Sequence, residues 1–182
     1  MPNITFLNIV SYLESLAEKH VGIKSNFRWN IEEAGAAMRS GIEYPVMLID
    51  PVEVKTEGDY SKLFHYNNTA ITILAKPSTR QGNQFESQNE VLNECQQICF
   101  DLENRIINDS RSRIIEEQKN WLYNLVDINS FQFFKMGPLF TDNLYGYRLE
   151  IQIKNSVIKE IDKDKWTDLQ QGYPYTYPFK LG

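Results

Sequence analysis

Residues 131–154 read FQFFKMGPLFTDNLYGYRLEIQIK, and the fold class turns on how this run is understood. From Leu144 to Lys154 the pattern alternates. Tyr145, Tyr147, Leu149, Ile151 and Ile153 fall on one side, and Arg148, Glu150, Gln152 and Lys154 on the other. A period of two is the mark of an antiparallel strand with one face buried and one in water. Phe131, Phe133 and Lys135-Met136 form a strand before it, and Gly137-Pro138 and Asp142-Asn143 supply turn chemistry between the two. Such a pair needs further strands beside it and apolar helices over it.

The cover lies upstream. Glu86 to about Gln118 reads as the longest helix, with Val91, Cys95, Ile98, Leu102 and Ile106 at helical spacing and Leu92, Cys99 and Ile107 widening the stripe. A stripe this broad belongs against a sheet rather than in a two-helix coiled coil. Asn108-Asp109-Ser110 is a point at which that helix can break in two. Asn3 to His20 is a first helix, with Phe6, Val10, Leu13, Ala17 and His20 along one face, Asn3 as its cap and Gly22 as its stop. His20 reads as a helix-end residue facing the terminal carbonyls.

Between the helices the texture is that of strands. Tyr44 to Ile49 is a buried apolar strand ending at the turn signal Asp50-Pro51, and Val52 to Lys55 alternates as a second strand leaving that turn. Thr56 to Asp59 is polar loop, the stretch from Glu57 to Asn68 a long protruding connection, and Thr69 to Lys76 the next strand. His65 within the connection reads as polar surface. Asn30 to Glu33 has the form of a capping box opening a short helix through Arg39; the alternative is a strand over 26–30. Trp121 to Val126 is apolar and ambiguous between helix and strand. The expected fold is therefore α+β: an antiparallel sheet with a long helix and an N-terminal helix packed on it, a long β-hairpin and an extended C-terminal arm. Residues 1–155 form the domain and 156–182 an extension, in which Tyr173, Tyr175, Tyr177 and Phe179 are interleaved with prolines that exclude helix.

Chemistry is sparse on this scaffold. Two histidines 45 residues apart, with no cysteine–histidine pair and no Gly-x-Ser-x-Gly elbow, give nucleophilic catalysis no footing. Neither of the glycine-rich phosphate motifs is present. Cys95 and Cys99, four apart on a helix face, read as small core hydrophobes rather than metal ligands. An enzyme would have to assemble a cluster from distant segments, such as His65, Tyr147 and Arg148. The expectation is no enzyme, no metal and no cofactor. A net charge of −5 argues against a dedicated nucleic-acid binder. Met1-Pro2-Asn3-Ile4 does not open a signal peptide, and no window suits a membrane span, so the expected site of synthesis and folding is the cytosol.

The order of elements resembles the tail terminator, or tail-completion, family of tailed bacteriophages and prophages. The resemblance covers about residues 3–155. It is strongest where Gly137-Pro138-Leu139 leads through Asp142-Asn143 into Leu144-Tyr145-Gly146-Tyr147-Arg148-Leu149-Glu150-Ile151, and it includes Tyr44-Pro45-Val46 and Thr69 to Leu74. It implies a structural subunit that forms a ring, commonly a hexamer, at the head-proximal end of the tail and meets the tail tube and the connector. The location implied is the host cytoplasm during assembly and then the virion tail. The protruding hairpin, here 57–68, is implied to reach a neighbour or the tube. The extension beyond Ser156 is longer than that family's pattern needs. Its aromatics suit docking onto the chain's own domain or onto another subunit. The candidate contact residues are therefore Asp59, Tyr60, Phe64 and Tyr66 in the connection, and Tyr173, Tyr175, Tyr177 and Phe179 in the arm. The competing reading is a monomeric protein- or peptide-binding module.

Overall fold

The computed structural model describes residues 4–28, 42–59, 61–78, 84–115, 117–140, 143–157 and 161–167. It is an α+β fold: among the described residues two helices lie on one face of a mostly antiparallel sheet. Helix α1 spans Phe6–Lys19 and α2 spans Gln84–Arg111. The strands are β1 (Ser25–Arg28), β2 (Val46–Ile49), β3 (Glu53–Gly58), β4 (Leu63–Ala75), β7 (Gln132–Leu139) and β8 (Leu144–Ser156), with a small separate hairpin of β5 (Ile114–Ile115) and β6 (Gln118–Lys119). The sheet runs β1-β2-β4-β8-β7, with β3 also paired to β4.

The alternation in 144–154 places the core as expected. Leu149, Ile151 and Ile153 of β8 meet Ile71 and Ile73 of β4, Met47 and Ile49 of β2, and a helical layer that includes Ile9, Leu13, Cys95, Cys99, Leu102 and Ile106. Both cysteines are fully buried, and each thiol sits near a β8 carbonyl, those of Tyr145 and Tyr147. Burial above all pushes each thiol up to about 12.

Several expectations need correction. Helix α1 starts at Thr5, not Asn3: Thr5 accepts from the Asn8 amide and Asn8 returns the bond, a reciprocal capping box. Phe6, at the start of the expected stripe, is 48% exposed. His20 does not serve the terminal carbonyls; its Nδ1 accepts from Gly22 N and its Nε2 lies 3.5 Å from Asp101 of α2. Helix α2 passes through Asn108-Asp109-Ser110 unbroken and stops at Arg111. The stop comes from Asn120, whose amide donates to the carbonyls of Asp109 (2.7 Å) and Ser112 (2.6 Å). Residues 121–125 form turns, and β1 pairs with β2 in parallel. The 17 residues between Arg28 and Val46 are long enough for the crossover that a parallel neighbour requires. Strand β1 at Ser25–Arg28 overlaps the alternative strand over 26–30, and the capping box of Asn30 to Glu33 lies outside the described residues.

The largest correction concerns residues 50–68. Asp50-Pro51 does not reverse the chain. Strands β2 and β3 run in the same direction along the same edge of β4, with Ile49 opposite Ile71 and Glu53 opposite Asn68. Three residues face two across this gap, a bulge that accommodates a proline with no N–H to give. The supposed connection is mostly strand. It turns only between Asp59 and Lys62, whose backbones exchange both hydrogen bonds, while the Asp59 carboxylate accepts from the amides of Ser61 and Lys62. The expected long hairpin is present as β3 and β4, and β8 follows β4 to its end, with Phe64 opposite Ser156 and Val157 N bonded to Leu63 O. The result is a three-stranded blade of β3, β4 and β8. Strand β8 thus ends inside the expected extension, and a short 3-10 turn follows at Lys163–Lys165.

Candidate interaction face

Strand pairing sorts side chains between the two faces of the sheet. In β4 and β8 the odd-numbered residues face the helices and the even-numbered residues face away. The face away from the helices has three zones along the β4–β8 pair. At the base it is apolar: Val46, Leu48, Leu74 and Leu144 are fully buried beneath Phe27, Ile42, Tyr44, Met136 and Leu139. At the blade it is aromatic and basic. Lys154 Nζ lies 4.2 Å from the Phe64 ring centroid and 5.0 Å from that of Tyr66, and Lys62 Nζ lies 5.5 Å from Phe64. Across the bulge, Glu53, Lys55 and Glu57 of β3 join this face, with Lys55 and Glu57 2.6 Å apart.

The middle zone is a polar groove of about 550 Å³. Arg148 organises it, with one guanidinium nitrogen 2.6 Å from Asp50 and another 3.2 Å from Glu150. Burial alone would lower the Arg148 pKa, but the hydrogen bonds and charges of Asp50, then of Glu150, leave it raised. Gln152 donates to Asn68 (2.8 Å), and Thr69 donates to the Asp50 carbonyl (3.0 Å). Asp50 Oδ1 is buried and has no hydrogen-bond partner among the described residues. Four carboxylates, those of Asp50, Glu53, Asp127 and Glu150, line the groove against the one guanidinium. Among the described residues no histidine, cysteine or lysine lines it, and the Ser130 hydroxyl is engaged by Asp127 O and Gln152 N. The groove is equipped to hold a polar or cationic group.

A second hollow, of about 290 Å³, lies between the ends of α1 and α2. The buried Asp109 there accepts from Tyr12 (3.0 Å) and Arg105 (2.9 Å), and Tyr12 meets Trp121 edge to face at 6.0 Å. Burial, and then the charge of Asp109, push the Tyr12 hydroxyl well above its usual range. This network ties the two helices together.

Of the candidate contact residues, Phe64 and Tyr66 come together on the blade with Lys154, which sequence reading had placed only as one member of an alternating strand. Asp59 forms the exposed turn beside them. Tyr60, Tyr173, Tyr175, Tyr177 and Phe179 lie outside the described residues. The hypothetical cluster of His65, Tyr147 and Arg148 is not assembled. His65 pairs with Asn155 on the helix side near the tip, while Arg148 pairs with Thr72 on the opposite face and far down the strand. The groove was missed because its members come from the bulge between β2 and β3, from β3, β4 and β8, and from the 127–132 segment. Only the polar side of the β8 alternation hinted at it.

Among the described residues no helix is long and apolar enough to cross a membrane, and no group of three or more histidine, cysteine, aspartate or glutamate side chains is arranged to hold a metal. No protein-family model matches the sequence, and comparison with curated proteins finds no match.

Proposed function

We propose that this chain is a structural assembly subunit of phage or prophage tails, a ring-forming protein of the tail-terminator kind that contacts other subunits through its blade. The observation that carries this reading is the outer half of the β4–β8 pair. It is built as ordered sheet, yet it presents Phe64, Tyr66, Lys62 and Lys154 on an outward face rather than in the core. Aromatic side chains held rigidly at low entropic cost suit a contact surface, and here the two lysines lie over the rings and fix their place. The layout resemblance in 3–155 supplies the particular assembly.

Native mass spectrometry and light scattering of the full chain test it. The expected result is a closed oligomer, with six copies as the implied count, that a Phe64→Ser/Tyr66→Ser variant dissociates while its circular dichroism stays native. A chain that remains monomeric up to high concentration and does not bind assembled tail tubes sinks the reading. The acidic groove supports a second reading, a monomeric module that holds a basic peptide segment. Binding of a Lys/Arg-rich peptide library, lost in Asp50→Asn, would favour it.

A further inference from the structure

Strand β3 is an unusual edge. All six of its residues are exposed, and among the described residues it pairs only with β4. The other two sheet edges are blunted. Strand β7 carries Pro138 and a register shift between Met136 and Leu139, and β1 has only four residues.

The direction of the free hydrogen-bonding groups follows from the turn. Asp59 and Lys62 exchange both backbone bonds, so along the antiparallel ladder Glu57, Lys55 and Glu53 also bond to β4. Val54 and Thr56 therefore point their N–H and C=O groups outward.

We infer that this edge pairs with the same edge of a second copy, antiparallel across a two-fold axis centred on Thr56. In that register Thr56 meets Thr56, an outward-bonding pair. Lys55 then lies opposite Glu57 of the second copy, and Glu57 opposite its Lys55. These are the non-hydrogen-bonded positions, where cross-strand side chains approach most closely. The two-fold makes both ion pairs at once, as an isologous contact must. Sliding by two residues in one direction sets Lys55 against Lys55. Sliding by two in the other sets Glu57 against Glu57. The Asp59 carboxylate, beyond the paired run, is turned inward to its own turn. This contact stands independently of the ring and of its partners.

Sedimentation equilibrium of the full chain, up to about 1 mM because so short an interface is weak, tests it. The expected result is a concentration-dependent dimer. Lys55→Glu and Glu57→Lys should each weaken it by about tenfold or more, since each turns two attractive pairs into repulsive ones. The double variant Lys55→Glu/Glu57→Lys restores the dimer, and an equimolar mixture of the two single variants forms a heterodimer. Absence of dimer at the highest concentration, or a dimer indifferent to both reversals, or a double variant without recovery, overturns the inference. Larger oligomers unaffected by the reversals would leave the ring reading standing while removing this one.

Discussion

Strand β4 is one continuous element with two different halves. From Thr69 to Ala75 every residue is buried; from Leu63 to Asn68 only Asn67 is. Both halves pair with β8 in one unbroken register, so backbone bonding does not distinguish them. What differs is the side chains and what lies against them. The inner half carries Ile71, Ile73 and Leu74 into two apolar clusters on opposite faces of the sheet. The outer half carries alternating polar and aromatic groups, held by β3, by β8 and by one buried amide, Asn67, which donates to Ile153 O and Asn155 Oδ1 at 3.0 Å. The inner half is where stability resides, and the outer half is surface presented in a fixed shape.

The largest effect should come from closing the gap between strands in the inner half. A Cβ on Gly146 would overlap the carbonyl oxygen of Ile73 and come within 2.8 Å of its carbon, so β4 and β8 must separate to admit it. Gly146→Ala should lower stability by about 3 kcal/mol, an overpacking cost against backbone that cannot rotate away. For a chain of this size the midpoint of thermal unfolding should fall by about 10 °C. A shift under about 2 °C would show that the strands are looser than their register implies.

Next in size is a pH effect from the buried thiols. Burial raises Cys95 and Cys99 from 9.0 to about 12 in the folded chain. Between those values the unfolded chain has lost these protons and the folded chain still holds them. Stability contributed by the neutral thiols is therefore complete below pH 9 and falls as pH rises, by about 1 kcal/mol per pH unit for each thiol. Urea unfolding at pH 8 and pH 10 should differ by about 2 kcal/mol more in the wild type than in Cys95→Ala/Cys99→Ala. An equal pH dependence in both proteins would mean that water reaches the thiols.

The two halves were not equally legible in the sequence. Wherever a segment's partner on the core side is simply apolar, its own periodicity reveals it. Leu149-Ile151-Ile153, the stripe of α2 and Val46 to Ile49 are of this kind, and so the fold class was legible. The blade was not, because the alternation in Leu63 to Asn68 rests on Phe64 and Tyr66 alone and is fixed as strand only by pairing with 53–58 on one side and 152–156 on the other. Asp50-Pro51 carries a turn signal that the sheet uses as a bulge instead. The end of α2 is fixed by the amide of Asn120, nine residues past Arg111, with no glycine or proline anywhere in 108–120. The groove shares this character: each of its polar groups looks like ordinary solvated surface until the register sets Arg148 beside Asp50.

That pair gives a middle-sized prediction at the boundary between the halves. Arg148→Met leaves the Asp50 carboxylate, 18% exposed, without its guanidinium. The charge retains some access to water, so the cost should be about 1–2 kcal/mol, below that of a fully buried pair. Asp50→Asn/Arg148→Met should recover part of it in a double-mutant cycle. Strict additivity of the two changes would mean that they do not act as a pair.

The smallest effect on stability belongs to the blade. Lys154→Gln removes a cation stacked over the Phe64 and Tyr66 rings but leaves the β4–β8 ladder intact. Half-exposed cation–π contacts are worth about 0.5–1 kcal/mol, so global unfolding should move by no more than that. Hydrogen exchange should locate the change in residues 63–68 and 152–156 and leave 69–75 untouched, because the outer half can open without exposing the apolar clusters. A loss above about 2 kcal/mol, or exchange that rises along the whole of β4, would make the two halves one cooperative unit. The blade's side chains would then be part of what holds the fold rather than a surface free to meet another subunit.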